Sequence, residues 1–372
     1  MRFLHTADWQ LGKSFGRFDE QTRAALGEAR FDVIDTIGKL ADRHGAAHVL
    51  VAGDVFDTEG PDERTVIQAV SRMARYACRW WLLPGNHDFA RNRGLWDRVR
   101  KHETANIIVL SESEAQEMEP GAWLLPAPLL RRHTLDDPTA ALDTMETPAG
   151  ALRIGLGHGS IRDFSSQGDA ANLIAPDRVK QARLDYLALG DWHGTLRVDA
   201  RTWYAGTPEP DRFPREANDP GHCLLVECEA GAAPTVTVLD TARYTWQVAD
   251  WPFADATGFE AQVNAFLESV DPAATLLQLT VSGIVSLTDK TRIVNRLHDD
   301  LTHRLRFLDT REGNLSVTPS EDDMASLESE GLIGRAAVRL REMIETGGSE
   351  APIARRALEK LFIEANRQEA TR

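Results

Sequence analysis

Five small groups of carboxylate, amide and imidazole side chains punctuate the first part of this chain: Asp8-Trp9-Gln10, Gly53-Asp54, Gly85-Asn86-His87-Asp88, Gly157-His158-Gly159 and Gly190-Asp191-Trp192-His193. Side chains of these types share one competence, the ligation of divalent cations. Oxygens and imidazole nitrogens gathered in one place can hold two such ions facing a phosphate. The chemistry to expect is two-cation hydrolysis of a phosphate ester.

Each group follows an apolar run that reads as a strand: residues 3–7, 48–52, 80–83, 153–156 and 186–189. An open α/β sheet presents its sites at the carboxyl ends of its strands, which is where all five groups fall. Taken singly, a Gly-Asp or Gly-His pair is a weak signal. Leu83-Pro84-Gly85-Asn86-His87-Asp88 is stronger, because it joins a turn to three chemically apt side chains.

Residues 1 to about 240 alternate strand-like and helix-like stretches, as stacked βα units do. A helix is expected over 19–44, with Ala24, Phe31, Ile34, Ile37 and Leu40 at helical spacing, and a second over 62–76, capped by Asp62. Strands are expected over 202–205, 223–229 and 235–239. A second unit, 241–330, reads as strand (244–251), helix (258–270), strand (275–285), helix (289–305) and strand (315–318). Glu321-Asp322-Asp323 reads as a solvated turn. A closing pair of amphipathic helices, 333–345 and 352–365 within residues 331–372, carries apolar stripes of Leu340, Met343 and Ile344 and of Leu358, Leu361 and Phe362. Packing on the chain's own core explains them most simply, and docking of a partner is the alternative.

The 372 residues suffice for a large domain and a smaller one, and 42% hydrophobic with 27% charged residues is an ordinary globular composition. A net charge of −15 opposes a broad, non-specific grip on nucleic acid. Any nucleic-acid substrate must be held by local basic groups: Lys13 and Arg17 after the first motif, Arg91, Arg93, Arg98, Arg100 and Lys101 after the third, Arg212 and Arg215 after the fifth. Cys78, Cys223 and Cys228 are odd in number and form no C-x-x-C pair, so they are expected as core thiols. No apolar stretch approaches the ~20 residues that span a bilayer, and the amino terminus lacks signal-peptide features, so a cytoplasmic protein is expected.

The order of the five motifs, with Phe3-Leu4-His5-Thr6-Ala7-Asp8-Trp9-Gln10-Leu11-Gly12, Gly53-Asp54-Val55-Phe56-Asp57 and Tyr204-Ala205-Gly206-Thr207-Pro208-Glu209, resembles the calcineurin-like binuclear metallophosphoesterases. Within them it is most similar to the DNA-repair nuclease branch, the SbcD-type nuclease subunits of SbcCD complexes. The catalytic resemblance covers roughly residues 1–215. It implies an α/β fold, a four-layer-type sandwich of two mixed β-sheets flanked by helices, followed by a small C-terminal α/β capping domain. The corresponding boundaries are 1–240, 241–330 and a helical hairpin at 331–372. It also implies phosphodiester hydrolysis with two divalent ions, most simply Mn²⁺, with Mg²⁺ second and Zn²⁺ less suited.

Position by position, the resemblance assigns Asp8, Gln10, Asp54 and His193 to one ion and Asp54, Asn86, His158 and Asp191 to the other, with Asp54 bridging. His87 then assists the leaving oxygen, and Asp88 either orients His87 or serves as a helix N-cap. Two positions depart from the family pattern: Gln10 and Asp191 stand where histidines are usual. Both keep an oxygen able to ligate, so the reading is a variant active site rather than a decayed scaffold. Five oxygen donors and two imidazoles make a hard site, which favours Mn²⁺ or Mg²⁺ over Zn²⁺.

Expected contacts to DNA are Trp9, Lys13, Arg17, Arg91, Arg93, Trp192 and Arg212, with Trp9, Trp96 and Trp192 either as surfaces on which unpaired bases stack or as walls of the pocket. The expected function is a Mn²⁺-dependent DNA nuclease acting on single-stranded or frayed DNA in repair. A small-nucleotide phosphodiesterase or phosphatase and a non-catalytic DNA-end-binding scaffold are the alternatives. The resemblance further implies an SbcC-like ATPase or other DNA-repair proteins as partners, and a homodimer; the sequence itself leaves monomer and homodimer both open, and no membrane association is expected.

Overall fold

A computed structural model describes residues 1–161, 171–214, 219–318, 320–328 and 331–370; Arg215 lies outside them. Two compact units divide the chain, Met1–Tyr244 and Thr245–Arg372.

The first unit is built on two six-stranded mixed sheets. One runs from edge to edge as Thr235–Asp240, His222–Glu227, Arg2–Thr6, His48–Val51, Arg79–Leu82 and Ile107–Val109. Its last four strands are parallel, and His222–Glu227 runs against Arg2–Thr6. The other sheet runs as Leu196–Arg197, Thr202–Tyr204, Tyr186–Gly190, Leu152–His158, Ala122–Ala127 and Gln116–Glu119. Its centre is parallel and each edge strand is antiparallel to its neighbour.

Successive side chains on a strand point to opposite faces, so a strand buried on both faces sends alternate residues into different cores. Phe3, Leu50 and Trp81 from one sheet meet Leu124, Ile154 and Tyr186 from the other between the two layers. The intervening Leu4, Val49, Val51, Trp80 and Leu82 pack instead against Ile34, Ile37, Val66 and Val70 on the flanking helices Glu20–His44 and Glu63–Met73. On the outer side of the second sheet lie Leu125, Leu187 and Leu189. The architecture is therefore the expected sandwich of two mixed sheets flanked by helices.

Both long helices begin where a side chain can satisfy the free amides of the first turn. Asp19 accepts from Thr22 N at 2.9 Å, and Asp62 accepts from Thr65 N at 2.7 Å. The second helix ends at Met73, a little before the expected Tyr76. All three cysteines are buried and free.

The second unit holds three parallel strands, Thr245–Phe253, Thr275–Val285 and Phe307–Val317, with helices Ala256–Ser269 and Leu287–Asn295. The last strand is far longer than the expected 315–318. After Phe307-Leu308 it continues through the polar, partly exposed Asp309-Thr310-Arg311-Glu312, so no apolar run marks it. The helix expected over 289–305 is interrupted after Asn295 by a wider turn over Arg296–Leu301. Glu321-Asp322-Asp323 is not a solvated turn: it opens the helix Glu321–Glu328, and Asp323 is buried. The Asp323 carboxylate accepts from Leu287 N at 2.9 Å, Thr288 N at 3.0 Å and Ser320 N at 2.8 Å, tying the start of one helix to the start of another. The closing helices, Leu332–Thr346 and Ala351–Ala370, belong to this same unit. Leu358 and Phe362 bury against Leu287, Val317 and Met324.

Candidate metal centre

The five motif loops leave the carboxyl ends of strands in both sheets and converge. Beyond Thr6 and Val51 the first two chains stay paired: Asp8 N donates to Gly53 O at 3.0 Å and Gln10 N to Asp54 O at 2.9 Å. The second sheet reaches across through His158, whose Nδ1–H donates to Ala52 O at 2.8 Å, and through Asp191 N, 3.2 Å from Asp8 Oδ2. Close approach explains two of the glycines. A Cβ on Gly53, at φ +89°, would run into the His158 ring, and one on Gly85 would fall on Asp54 Oδ1. Asp8, Gln10, Asp54 and Asp191 all take positive φ, at 53°, 44°, 54° and 101°. Such backbone costs ~1–3 kcal/mol each and concentrates at functional sites; here it turns the side chains toward a common centre.

Asp8, Asp54 and His158 each present a ligating atom within 4.8 Å of the others. A carbonyl only accepts, so the neutral His158 ring keeps its proton on Nδ1 and leaves the Nε2 lone pair free. That Nε2 lies 3.5 Å from Asp54 Oδ1 and 3.8 Å from Asp191 Oδ1. Both His158 Nε2 and Asn86 Oδ1 are buried without a hydrogen-bond partner. Ser160 Oγ donates to Asp191 Oδ2 at 2.7 Å and fixes that carboxylate.

The electrostatics point the same way. Burial pushes the Asp8 carboxyl up to about 7, against the opposing charges of His193 and His158. Burial alone would depress the His158 imidazole, yet Asp54, Asp8 and Asp191 raise it to about 9. The crowded carboxylates thus call for positive charge, and a divalent cation can take the place of the proton on Nε2. Asp54, Asn86, His158 and Asp191 fit such an ion.

Around His193 the fit is incomplete. Gln10 Oε1 accepts from Lys13 Nζ at 2.8 Å, and Gln10 Nε2 faces His193 Nε2 at 3.4 Å. An ammonium has donors only, so the amide face it touches must be oxygen. Gln10 therefore presents N–H toward His193, and its expected role as a ligand is not met in this arrangement. Asp8, Asp54 and His193 are the donors left on that side.

The His87 amide donates to Asp54 Oδ1 at 2.9 Å, and its ring is held by Asp57, whose carbonyl accepts from Nδ1 at 2.8 Å. His87 Nε2 lies 4.0 Å from Asp54 Oδ2, beside the ligands. Asp88 does not orient this ring, contrary to expectation. Its two oxygens accept from Gly85 N at 2.6 Å and Phe56 N at 3.0 Å, bracing the motif loop from below. Burial raises the Asp88 carboxyl to about 8.

Several expected DNA contacts are engaged inside the protein. Trp9 and Trp96, each 1% exposed, are core residues and offer no stacking surface. Trp9 Nε1 donates to Thr6 Oγ1 at 3.0 Å and the ring packs edge-on against Trp80; Trp96 Nε1 donates to the Asp88 carbonyl. Trp192 is half-buried against the outer face of the second sheet. Lys13 pairs with Asp211 at 2.9 Å and Asp57 at 3.5 Å. Arg212 pairs with Asp211, and its Nη2 lies 3.1 Å from His193 Nδ1. Arg98 pairs with Glu63, Arg100 with Asp97, and Arg91 lies 3.8 Å from Glu59. Arg17 lies over the Phe18 and Phe213 rings, while Arg93 is exposed with φ 57°.

Two supporting residues escaped the sequence reading. Buried Arg30 donates to Glu209 O at 2.8 Å and to Gln10 O at 3.3 Å, linking the first motif to the Thr207-Pro208-Glu209 loop. Its signal was its place in the apolar stripe of Leu26 and Ile34, one helical turn to each side. Asp211 is buried beside His193, Lys13 and Arg212; hydrogen bonds from His193 and Arg212 overcome burial and hold its carboxyl far below the usual range.

Among known proteins, the model of the calcineurin-like phosphoesterase family matches residues 1–222, which include every motif loop. The chain belongs to the calcineurin-like phosphoesterases. It is 30% identical over 237 residues to SbcD of the SbcCD nuclease from Escherichia coli K12, covering 61% of this chain and 55% of that protein. SbcD from Rhodobacter capsulatus is 26% identical over 288 residues, covering 63% and 68%. SbcD from Bacillus subtilis is 34% identical over 92 residues, covering 24% and 22%. The chain thus spans about half the length of the first curated relatives it matches. No helix among the described residues is long and apolar enough to cross a membrane.

Proposed function

We propose that this chain is a divalent-cation-dependent phosphodiesterase that cuts DNA, with Mn²⁺ as the activating ion and single-stranded or frayed DNA as substrate. The observation that carries the reading is the pair of buried ligand atoms without hydrogen-bond partners, His158 Nε2 and Asn86 Oδ1, set among Asp8, Asp54 and Asp191. Asp54, Asn86, His158 and Asp191 would hold one ion, and Asp8, Asp54 and His193 the other. Such a pair supplies a water deprotonated near neutral pH and positive charge against the phosphate oxygens. His87, with Nδ1–H fixed on the Asp57 carbonyl, presents Nε2 toward the cleft. In its doubly protonated form it gives the Nε2 proton to the departing alkoxide oxygen and returns to the neutral ring, with Nδ1–H still on Asp57. Asp88 keeps the loop that carries Asn86 and His87 in place.

DNA is favoured because the relatives are named as components of a nuclease. The net charge of −15, with many of the nearby basic groups already paired, supports a frayed or single strand over a long duplex track. The same names make SbcD one subunit of SbcCD, which supports a second protein beside this chain; an SbcC-like ATPase and a cytoplasmic role in DNA repair complete the proposal. The test is digestion of end-labelled linear and of circular single-stranded DNA with Mn²⁺, beside a bis-nitrophenyl phosphate ester and a cyclic nucleotide. Cleavage of DNA, abolished in Asp54→Ala, is expected. Hydrolysis of the small esters with intact DNA would move the substrate to nucleotides. No turnover and no bound Mn²⁺ would leave a binding scaffold.

A further inference from the structure

The two sides of the centre differ in one respect. On the His158 side two buried ligand atoms, His158 Nε2 and Asn86 Oδ1, have no hydrogen-bond partner, whereas on the His193 side the Lys13 ammonium already occupies the Gln10 oxygen. Lys13 Nζ sits 2.8 Å from Gln10 Oε1, 2.9 Å from Asp211 Oδ2 and 3.5 Å from Asp57 Oδ1, with its side chain 23% exposed. The position is fixed by three separate oxygens, two of them on carboxylates.

We infer that Lys13 acts as a latch on the His193 side: by claiming Gln10 Oε1, it makes the two cation positions unequal and forces them to fill in order. The inference rests on the cation-dependent reading above. Its physical basis is the amide's two faces. While the ammonium holds the oxygen, the face toward His193 is N–H, which repels a cation rather than ligating it. A second ion can gain the Gln10 oxygen only if the amide turns over, and that leaves Lys13 with Asp211 and Asp57 alone. A charge-assisted hydrogen bond must break, so the cost falls on the second ion and not on the first. On the His158 side, among the described residues, the carboxylates set against His158 Nε2 are those of Asp54 and Asp191, and neither is paired with a lysine or arginine.

The arrangement makes this chain a one-ion protein at low Mn²⁺ that becomes a two-ion protein as Mn²⁺ rises. Mn²⁺ titration of the full chain, followed by calorimetry and by the electron paramagnetic resonance signal of coupled ion pairs, reads it directly. The wild type should bind one ion tightly and a second at least about tenfold more weakly. Lys13→Met should tighten the second ion by about tenfold and leave the first unchanged. Gln10→His, which removes the oxygen that Lys13 holds and supplies an imidazole instead, should do the same and serves if Lys13→Met unfolds. Two equal sites in the wild type, or a weak second site unchanged in both folded variants, would overturn the latch while leaving the hydrolase reading intact. Absence of Mn²⁺ binding in all three proteins would overturn both.

Discussion

The carbonyl of Asp57 lies 2.8 Å from Nδ1 of His87 and sets which nitrogen of that ring can face a substrate. A backbone oxygen cannot donate, so the ring proton is pinned on the Asp57 side and Nε2 alone turns to the centre. Asp57 is itself tied to the first motif, through its N–H to Leu11 O at 3.0 Å and its carboxylate to Lys13. His87 is thus positioned by the second motif loop rather than by its neighbour Asp88.

Removal of this ring should separate rate from binding. In His87→Ala, kcat on a DNA or diester substrate should drop by about 10²–10⁴, the usual contribution of a positioned acid. Mn²⁺ binding measured by calorimetry should stay at the wild-type level. An unchanged kcat would remove the histidine from the reaction.

Gly85 tests whether close packing of the loops shapes the cation pocket. A methyl group there would fall on Asp54 Oδ1 and on the Asp54 backbone nitrogen, so the loop must move. Gly85→Ala should cost about 2 kcal/mol of stability and weaken cation binding. Thermal unfolding and Mn²⁺ titration check the two effects, and a variant with wild-type values in both would show that the loops have room.

The hardness of the donor set makes a prediction about ion choice. Asp191, fixed by Ser160, adds an oxygen where an imidazole is usual in the family. Asp191→His should raise activation by Zn²⁺ relative to Mn²⁺ and Mg²⁺, because imidazole suits the softer ion. Ranking activity and binding for the three ions in both proteins reads it; an identical order would refute the argument.

Glu209 gives a pH signature away from the cation ligands. Burial raises its carboxyl from 4.5 to about 7, although Arg243 N and Tyr244 N donate to it at 2.6 and 3.1 Å. A folded-state value above the unfolded one means that its contribution is fully present below pH 4.5 and is lost as pH rises through 7. Glu209→Gln, which cannot ionise, should gain on the wild type across that window by ~3 kcal/mol. Urea unfolding of both at about pH 5 and about pH 8 measures the difference; a gap that stays constant or widens in the wild type's favour would contradict the sign.

Much of this protein was legible in the residues alone. The apolar runs and their alternation announced the strands, because a strand buried on both faces must be apolar along its whole length. The Asp19 and Asp62 caps announced the helices, because free amides at a helix start need an oxygen. The five motifs named the chemistry, since cation ligation depends on side-chain type, and type is written in the sequence. What sequence could not supply was orientation. Trp9 and Trp192 look alike beside their motifs, yet one is core and the other lies at the rim, a difference made by which sheet face each meets. Asp323 read as surface charge until the amides of Leu287 and Thr288, far off in sequence, were brought to it. Gln10 has the right oxygen for a ligand, but only tertiary structure sets Lys13 against it and turns that oxygen aside. The identity of a group fixes what it can bind; its neighbours in space, which folding alone chooses, fix what it does bind.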